Sequence, residues 1–211
     1  MEKLTGLKKI KTAIFISGAG SNLKNIIKFS KLKKSPISID LVVSNNNLAK
    51  GLKYADQNKV EKKIFNSKNI KIGEKNILLQ LKEREIKFIC LAGFMKILSK
   101  EFIKKFDGKI VNIHPSLLPK YKGLDTYNRA IRNKDKFAGC TVHYVTEKLD
   151  SGKIIIQKKI KITIKDNAIS LAKKTLQQEH KLYPAAIMKI FNQSLKKKSI
   201  SILALSTLSE P

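Results

Sequence analysis

Tryptophan is absent from this 211-residue chain, and cysteine, methionine, histidine and arginine are scarce. The two cysteines, Cys90 and Cys140, share no ligand spacing with other side chains, which argues against a zinc site and a disulfide framework. Cys90 sits in an apolar run, so a reduced thiol in a cytoplasmic protein is expected. No apolar stretch approaches the roughly 18 residues of a membrane-spanning helix, and the N-terminus carries no secretory pattern. Acidic residues are also few: 16 Asp and Glu face 44 Lys and Arg, a formal charge of +28. Such a surplus is the first mark of a nucleic-acid-binding protein. Yet Arg84, Arg129 and Arg132 are the only arginines, and arginine makes the bidentate contacts that base and phosphate recognition favours. The lysines run from end to end, so the charge reads as a solvated surface whose field attracts small anions.

What is present is the pattern of an α/β protein. With 42% hydrophobic residues, the chain suffices for one sizeable core. A single domain over 1–211 is expected, with a core at about 12–193 and a lysine-rich tail at 194–211. Strands are predicted over Lys11–Ser17, Ser38–Val43, Lys63–Phe65, Lys87–Ala92, Lys109–Ile113 and Gly139–Thr146. Lys153–Ile164 reads as one long strand or two short ones. Between them, helices are predicted over Leu23–Lys31, Leu48–Asn58, Glu74–Glu85, Lys100–Phe106 and Thr126–Arg132, with a long one over Ala168–Phe191 that Pro184 kinks or divides. The apolar segment Ile200–Leu205 is left as an edge strand or a frayed end. Alternating strands and helices imply βαβ units in a Rossmann-like, mostly parallel twisted sheet with helices on both faces.

Three polar features stand out against this frame. Asn112 and His114 lie two apart on a strand and so share a face, with Pro115 and Pro119 ending the strand and stiffening the loop after it. An amide beside an imidazole at a strand end suits oxyanion stabilisation and proton transfer, although an isolated buried histidine is as readily a packed one. Gly18-Ala19-Gly20-Ser21-Asn22 joins a strand to a helix, where free N–H groups favour an anion. It lacks the third glycine of a dinucleotide fingerprint, so it reads as a phosphate loop or as a turn with a Ser or Asn cap. Asp150, in the turn Leu149-Asp150-Ser151-Gly152, is the best-placed carboxylate to partner a histidine, or simply part of a turn.

Several separate motifs, in order, resemble the phosphoribosylglycinamide formyltransferase family: ISGAGSN (16–22), LAGFMKILS (91–99), NIHPSLLPKYKG (112–123), TVHYVTEKLDSG (141–152) and QEHKLYP (178–184). The resemblance runs from about Thr12 to Pro184. It implies the formyltransferase fold and transfer of a formyl group from the co-substrate 10-formyltetrahydrofolate to the amine of glycinamide ribonucleotide, in purine synthesis. It implies small-molecule partners, no metal, and a monomer or homodimer. By the same resemblance Gly20, Ser21 and Asn22 hold the ribonucleotide phosphate, and Glu179 binds the ribose or glycinamide end. Met95, Lys96, Ile97 and Leu98 line the folate pocket, and Thr146, Glu147, Lys148, Leu149 and Asp150 close over the pterin. His114 is implied as the general acid, Asn112 as a holder of the formyl oxygen, and Asp150 as the group that raises the pKa of His114. His143 and His180 are taken as packing or supporting residues.

The chain departs from the family pattern at Lys122, Asp125, Tyr127 and Ala138, which touches the loop and the pocket edges but not Asn112, His114 or Asp150. Lys68 and Lys71 are the candidates for meeting the folate tail. Two relatives share the Asn-x-His and Asp set. Methionyl-tRNA formyltransferase carries a further C-terminal domain and a different loop after Ser-Leu-Leu-Pro. Formyltetrahydrofolate deformylase carries an N-terminal regulatory domain, where only about ten residues precede the first strand here. A lysine-rich nucleic-acid-binding module is the alternative of a different class; it requires clustered charge interleaved with exposed aromatics.

Overall fold

The computed structural model describes residues 8–65 and 70–206, with residues 193–206 described by their backbone alone. The elements run β1 (Ile10–Ile16), α1 (Ser21–Ser30), β2 (Ile37–Ser44), α2 (Leu52–Gln57), β3 (Lys62–Ile64), α3 (Ile70–Glu83), β4 (Phe88–Leu91), α4 (Lys100–Lys105), β5 (Lys109–His114), α5 (Thr126–Arg132), β6 (Phe137–Tyr144), β7 (Ile154–Lys161) and α6 (Ala168–Ser206). The strands form one sheet in the order β3-β2-β1-β4-β5-β6-β7. Neighbours from β3 to β5 are parallel, while β6 and β7 are added antiparallel. The chain reverses its direction of travel across the sheet between β1 and β4, and loops diverging at such a point leave a crevice at the carboxyl ends of the strands.

Period-two alternation divides the core into two layers. Ile14, Ile16, Cys90, Val111, Ile113 and Val142 face α1 and α6, where Leu23, Ile26, Tyr183 and Ile187 meet them. Ala13, Phe15, Ile89, Leu91 and Ile110 face α3 and α4, where Ile77, Leu81 and Phe102 cover them. The Tyr183 hydroxyl is buried in the first layer, 2.9 Å from the carbonyl oxygen of Leu91 and 3.2 Å from that of Val111, so its polar end is satisfied inside the core. Continuing the alternation along β5 puts Asn112 and His114 on the second face, beyond Ile110. The antiparallel register sets His143 directly opposite Asn112, on the same face.

Several boundaries differ from the sequence reading. α2 is shorter than predicted, because residues 48–51 make a turn that brings Gly51 against the β1–α1 loop. Lys153–Ile164 yields a single strand, β7. α6 is continuous through Pro184 and runs on to Ser206, so Ile200–Leu205 extends a helix rather than an edge strand. Its start is fixed by a reciprocal cap: the Ser170 N–H donates to Asn167 Oδ1 at 2.9 Å and the Asn167 N–H donates to Ser170 Oγ at 3.0 Å. Among the described residues, no helix is long and apolar enough to cross a membrane.

Candidate active site

The carboxyl end of β5 delivers Asn112 and His114 to the wall of a cavity of about 410 Å³. Met95–Leu98, in the loop after β4, form one side and Thr146–Asp150, after β6, form the other. Met95, Ile97 and Leu124 are 67%, 69% and 76% exposed around it, an apolar rim left without a protein partner. All the residues that the resemblance assigns to folate therefore border one cavity. Lys71 does not: it lies in a separate groove between α3 and α4. Lys68 lies outside the described residues.

At the inner end of the cavity four polar side chains meet. Asp150 Oδ2 lies 3.3 Å from His114 Nδ1, and its Oδ1 lies 3.6 Å from His143 Nε2. Asp150 also accepts a hydrogen bond from the Gly123 N–H at 2.9 Å. His114 Nε2–H donates to the Tyr121 carbonyl oxygen at 2.8 Å, and His143 Nδ1–H donates to the Tyr144 carbonyl oxygen at 2.8 Å. A carbonyl only accepts, so each of those ring nitrogens carries the proton. His143 Nε2 is then free to accept from Asn112 Nδ2 at 3.3 Å, which leaves the second N–H of Asn112 for a ligand. His143, read from sequence as a packing or supporting residue, lies between Asn112 and Asp150, accepting from the first and 3.6 Å from the second. The signal for it was register: only the β5–β6 pairing places it opposite Asn112.

The loop between β5 and α5 is held so that the Tyr121 carbonyl reaches His114. Thr141 Oγ1 donates to the Ser116 carbonyl oxygen at 2.6 Å, and Gln157 Nε2 donates to the Leu118 carbonyl oxygen at 2.8 Å. The Tyr121 hydroxyl donates to Asp135 at 2.8 Å, while the Arg129 guanidinium sits 4.8 Å from its ring centre. Burial pulls the His114 imidazole below its ordinary pKa, by more than the Tyr121 carbonyl and the Asp150 carboxylate raise it. The Asp150 carboxylate raises it without prevailing, so the balance favours the neutral imidazole. Burial works to raise the Asp150 carboxyl, but contacts that include the Gly123 N–H and the His114 imidazole outweigh it and hold it below the usual carboxylate range.

A second polar group lies at the end of β1. Gly20 adopts φ 71° at the start of α1, and no side chain caps that helix. Asn22 turns away from the helix end and donates from Nδ2 to Glu179 Oε2 at 2.7 Å, leaving its own buried Oδ1 without a partner among the described residues. The sequence alternative of a Ser or Asn cap is therefore not what the structure adopts. Burial pushes the Glu179 carboxyl upward against this hydrogen bond. The loop is shaped by Gly51, which the sequence reading overlooked: its N–H donates to the Gly18 carbonyl oxygen at 2.9 Å, and a Cβ there would fall 2.7 Å from Gly20 Cα. β1 and β5 are separated only by β4, so the two polar groups stand about two strand spacings apart, roughly 10 Å. Among the described residues, no group of three or more His, Cys, Asp or Glu is arranged to hold a metal ion.

An open, mostly parallel sheet with an amide, a His–Asp pair and an uncapped helix start at its carboxyl edge defines an α/β enzyme of the doubly wound class. Within that class the chain belongs to the formyl transferase family, whose profile matches residues 10–187. It is 42% identical to the phosphoribosylglycinamide formyltransferase of Haemophilus influenzae, over 86% of each chain. The crystal structure of phosphoribosylglycinamide formyltransferase from Brucella melitensis superposes with a TM-score of 0.82 at 40% identity, covering 87% of this chain and 96% of that one. The human trifunctional purine biosynthetic protein adenosine-3 is 39% identical over 85% of this chain, which spans only 18% of the human protein's length.

Proposed function

We propose that this chain transfers the formyl group of 10-formyltetrahydrofolate to the amine of glycinamide ribonucleotide, giving formylglycinamide ribonucleotide and tetrahydrofolate for purine synthesis. The observation that carries this reading is the pairing of two sites on one sheet edge. One is an apolar-rimmed cavity ending in Asn112, His114 and Asp150; the other is the β1–α1 loop with its Asn22–Glu179 pair. A phosphate on the N–H groups at the start of α1 places the rest of a ribonucleotide across the gap of roughly 10 Å between β1 and β5. Its amine then reaches a formyl group held in the cavity, with the flat folate ring between Met95–Leu98 and Thr146–Asp150.

The amine nitrogen attacks the formyl carbon, and the carbonyl oxygen becomes an oxyanion. The free N–H of Asn112 donates to that oxygen, in a site that excludes much of the solvent. The attacking nitrogen must lose a proton, and the folate nitrogen must gain one as its bond to carbon breaks. Neutral His114, aided by a water, accepts the first proton. The imidazolium so formed is stabilised by the Asp150 carboxylate and the Tyr121 carbonyl, and as general acid it delivers the proton to the leaving nitrogen. Both nitrogens of His114 face acceptors, an arrangement that favours the charged form at the moment it is needed. The substrates are small molecules, and a cytoplasmic setting agrees with the reduced thiols of Cys90 and Cys140.

A spectroscopic assay of tetrahydrofolate formation, run with and without glycinamide ribonucleotide, tests the reading. Product is expected only when the ribonucleotide is present. Equal turnover in its absence points to a deformylase, and tight salt-dependent RNA binding without turnover points to a nucleic-acid-binding protein.

A further inference from the structure

Ser17 is the residue at which the central strand β1 gives way to the Gly18–Asn22 loop. Its hydroxyl donates to Asn45 Oδ1, just beyond β2, and accepts from the Met95 N–H at 2.7 Å, just beyond β4. Its N–H donates to the Gly93 carbonyl oxygen at 3.1 Å, and its carbonyl oxygen lies 3.4 Å from Asn46 Nδ2. Every polar group of Ser17 is thus engaged by the exit loops of the two flanking strands. Met95 follows Gly93 and Phe94 in the cavity wall, and the far end of that wall is tied down separately. There the buried Glu74 accepts from the Ser99 N–H at 2.7 Å and from the Ser99 hydroxyl, while Ser99 Oγ caps α4 by accepting from the Phe102 N–H at 3.0 Å.

We propose that Ser17 is a positioning residue that couples the two substrate sites, its hydroxyl fixing the Met95 wall to the loop at the start of α1. The inference rests on the formyl-transfer reading. The Ser17 hydroxyl ties the Met95 N–H to the residue that precedes the phosphate loop by one accepted hydrogen bond and is itself held by the one it donates to Asn45, beside the backbone bond from the Ser17 N–H to the Gly93 carbonyl. A shift of residues 18–22 when an anion binds is carried through Ser17 to Met95 in the cavity wall. Occupancy of one site therefore changes the affinity of the other, reciprocally.

Ser17→Ala keeps the backbone bonds and removes both hydroxyl links, leaving the Met95 N–H to the solvent. The KM for formyl folate is expected to rise roughly five- to tenfold, the factor that one lost hydrogen bond gives, with kcat within about twofold of native. Tetrahydrofolate, titrated with and without ribonucleotide, should bind with different affinity in the native protein and with the same affinity in the variant. Ser17→Thr, which restores a hydroxyl, should recover part of the difference. An unchanged folate KM, a fall confined to kcat, or no difference in the native protein overturns the proposal. If Ser17→Ala does not fold, Asn45→Ala must raise the folate KM in the same sense. Hydrogen exchange of the Met95 amide reads the link without activity: it should be slow in the native protein and fast in Ser17→Ala, and equal rates overturn the proposal. A native protein that forms no product with the ribonucleotide defeats the functional reading instead, while the exchange measurement still tests the link.

Discussion

Asp150→Asn removes one charge while keeping an oxygen for the Gly123 N–H, so the turn that carries residue 150 should remain in place. What changes is the interaction with His114, whose Nδ1 lies 3.3 Å away and whose side chain, like that of Asp150, is less than a tenth exposed. At that separation, with an effective dielectric constant of about 20, a carboxylate and an imidazolium attract by about 5 kcal/mol. The amide dipole of asparagine replaces part of this. If half or more is lost to the imidazolium formed during transfer, the barrier rises by about 3 kcal/mol and turnover falls about 10²-fold. The sign is equally specific for binding of a proton. Burial already holds the His114 pKa below its ordinary value, and Asp150 opposes that. Removing Asp150 must lower it further. Initial rates of tetrahydrofolate formation at saturating substrates give the first quantity, and an NMR pH titration of the His114 ring gives the second. Turnover within about threefold of native, with an unmoved His114 titration, would refute the reasoning.

Two other substitutions probe the ribonucleotide side. Gly51→Ala places a methyl group 2.7 Å from Gly20 Cα and 2.8 Å from Ile16 Cδ1; a loss of about 1–3 kcal/mol in urea unfolding is expected, with a larger rise in ribonucleotide KM than in folate KM. Glu179→Gln should weaken ribonucleotide binding yet stabilise the fold at neutral pH. The Glu179 pKa in the folded protein is raised above its free value of 4.5, so the native state holds the proton more tightly and stability falls as pH rises through the window between the two values. The glutamine variant should lack that fall, which thermal unfolding across pH measures; a variant less stable than native at pH 7 contradicts the sign.

The sites were legible to different depths. Asn112 and His114 could be paired from spacing alone, because strand geometry sends alternate residues to one face. The phosphate loop could be singled out, but not its shape: the close approach of Gly51 to Gly20 joins residues some thirty apart, and no local pattern encodes it. Asp150 could be proposed as a partner from its place in the turn after a strand, but not set apart from an ordinary turn residue without the family resemblance, since an Asp-Ser-Gly turn is common. His143 could be read as a packing or supporting residue but not matched to its partners, because its place depends on the antiparallel pairing of β6 with β5. The C-terminal segment was left open between strand and fraying because its apolar run has no clear period, while the backbone shows it continuing α6.

By itself the sequence determined the class of fold, through runs of apolar residues that only a buried sheet can use and helices that alternate with them. It also determined the chemistry on offer, an amide, an imidazole and carboxylates without a metal-ligand spacing. Tertiary structure decided which of these groups meet, and in what protonation state. Burial, a property of the packed whole, lowers the His114 pKa despite its nearby carboxylate. The contact between Asn112 and Asp150 through His143, and that between the β1 loop and the cavity wall through Ser17, depend on strand order and register. Those follow from how the whole sheet packs, not from the residues adjacent to each site in the chain.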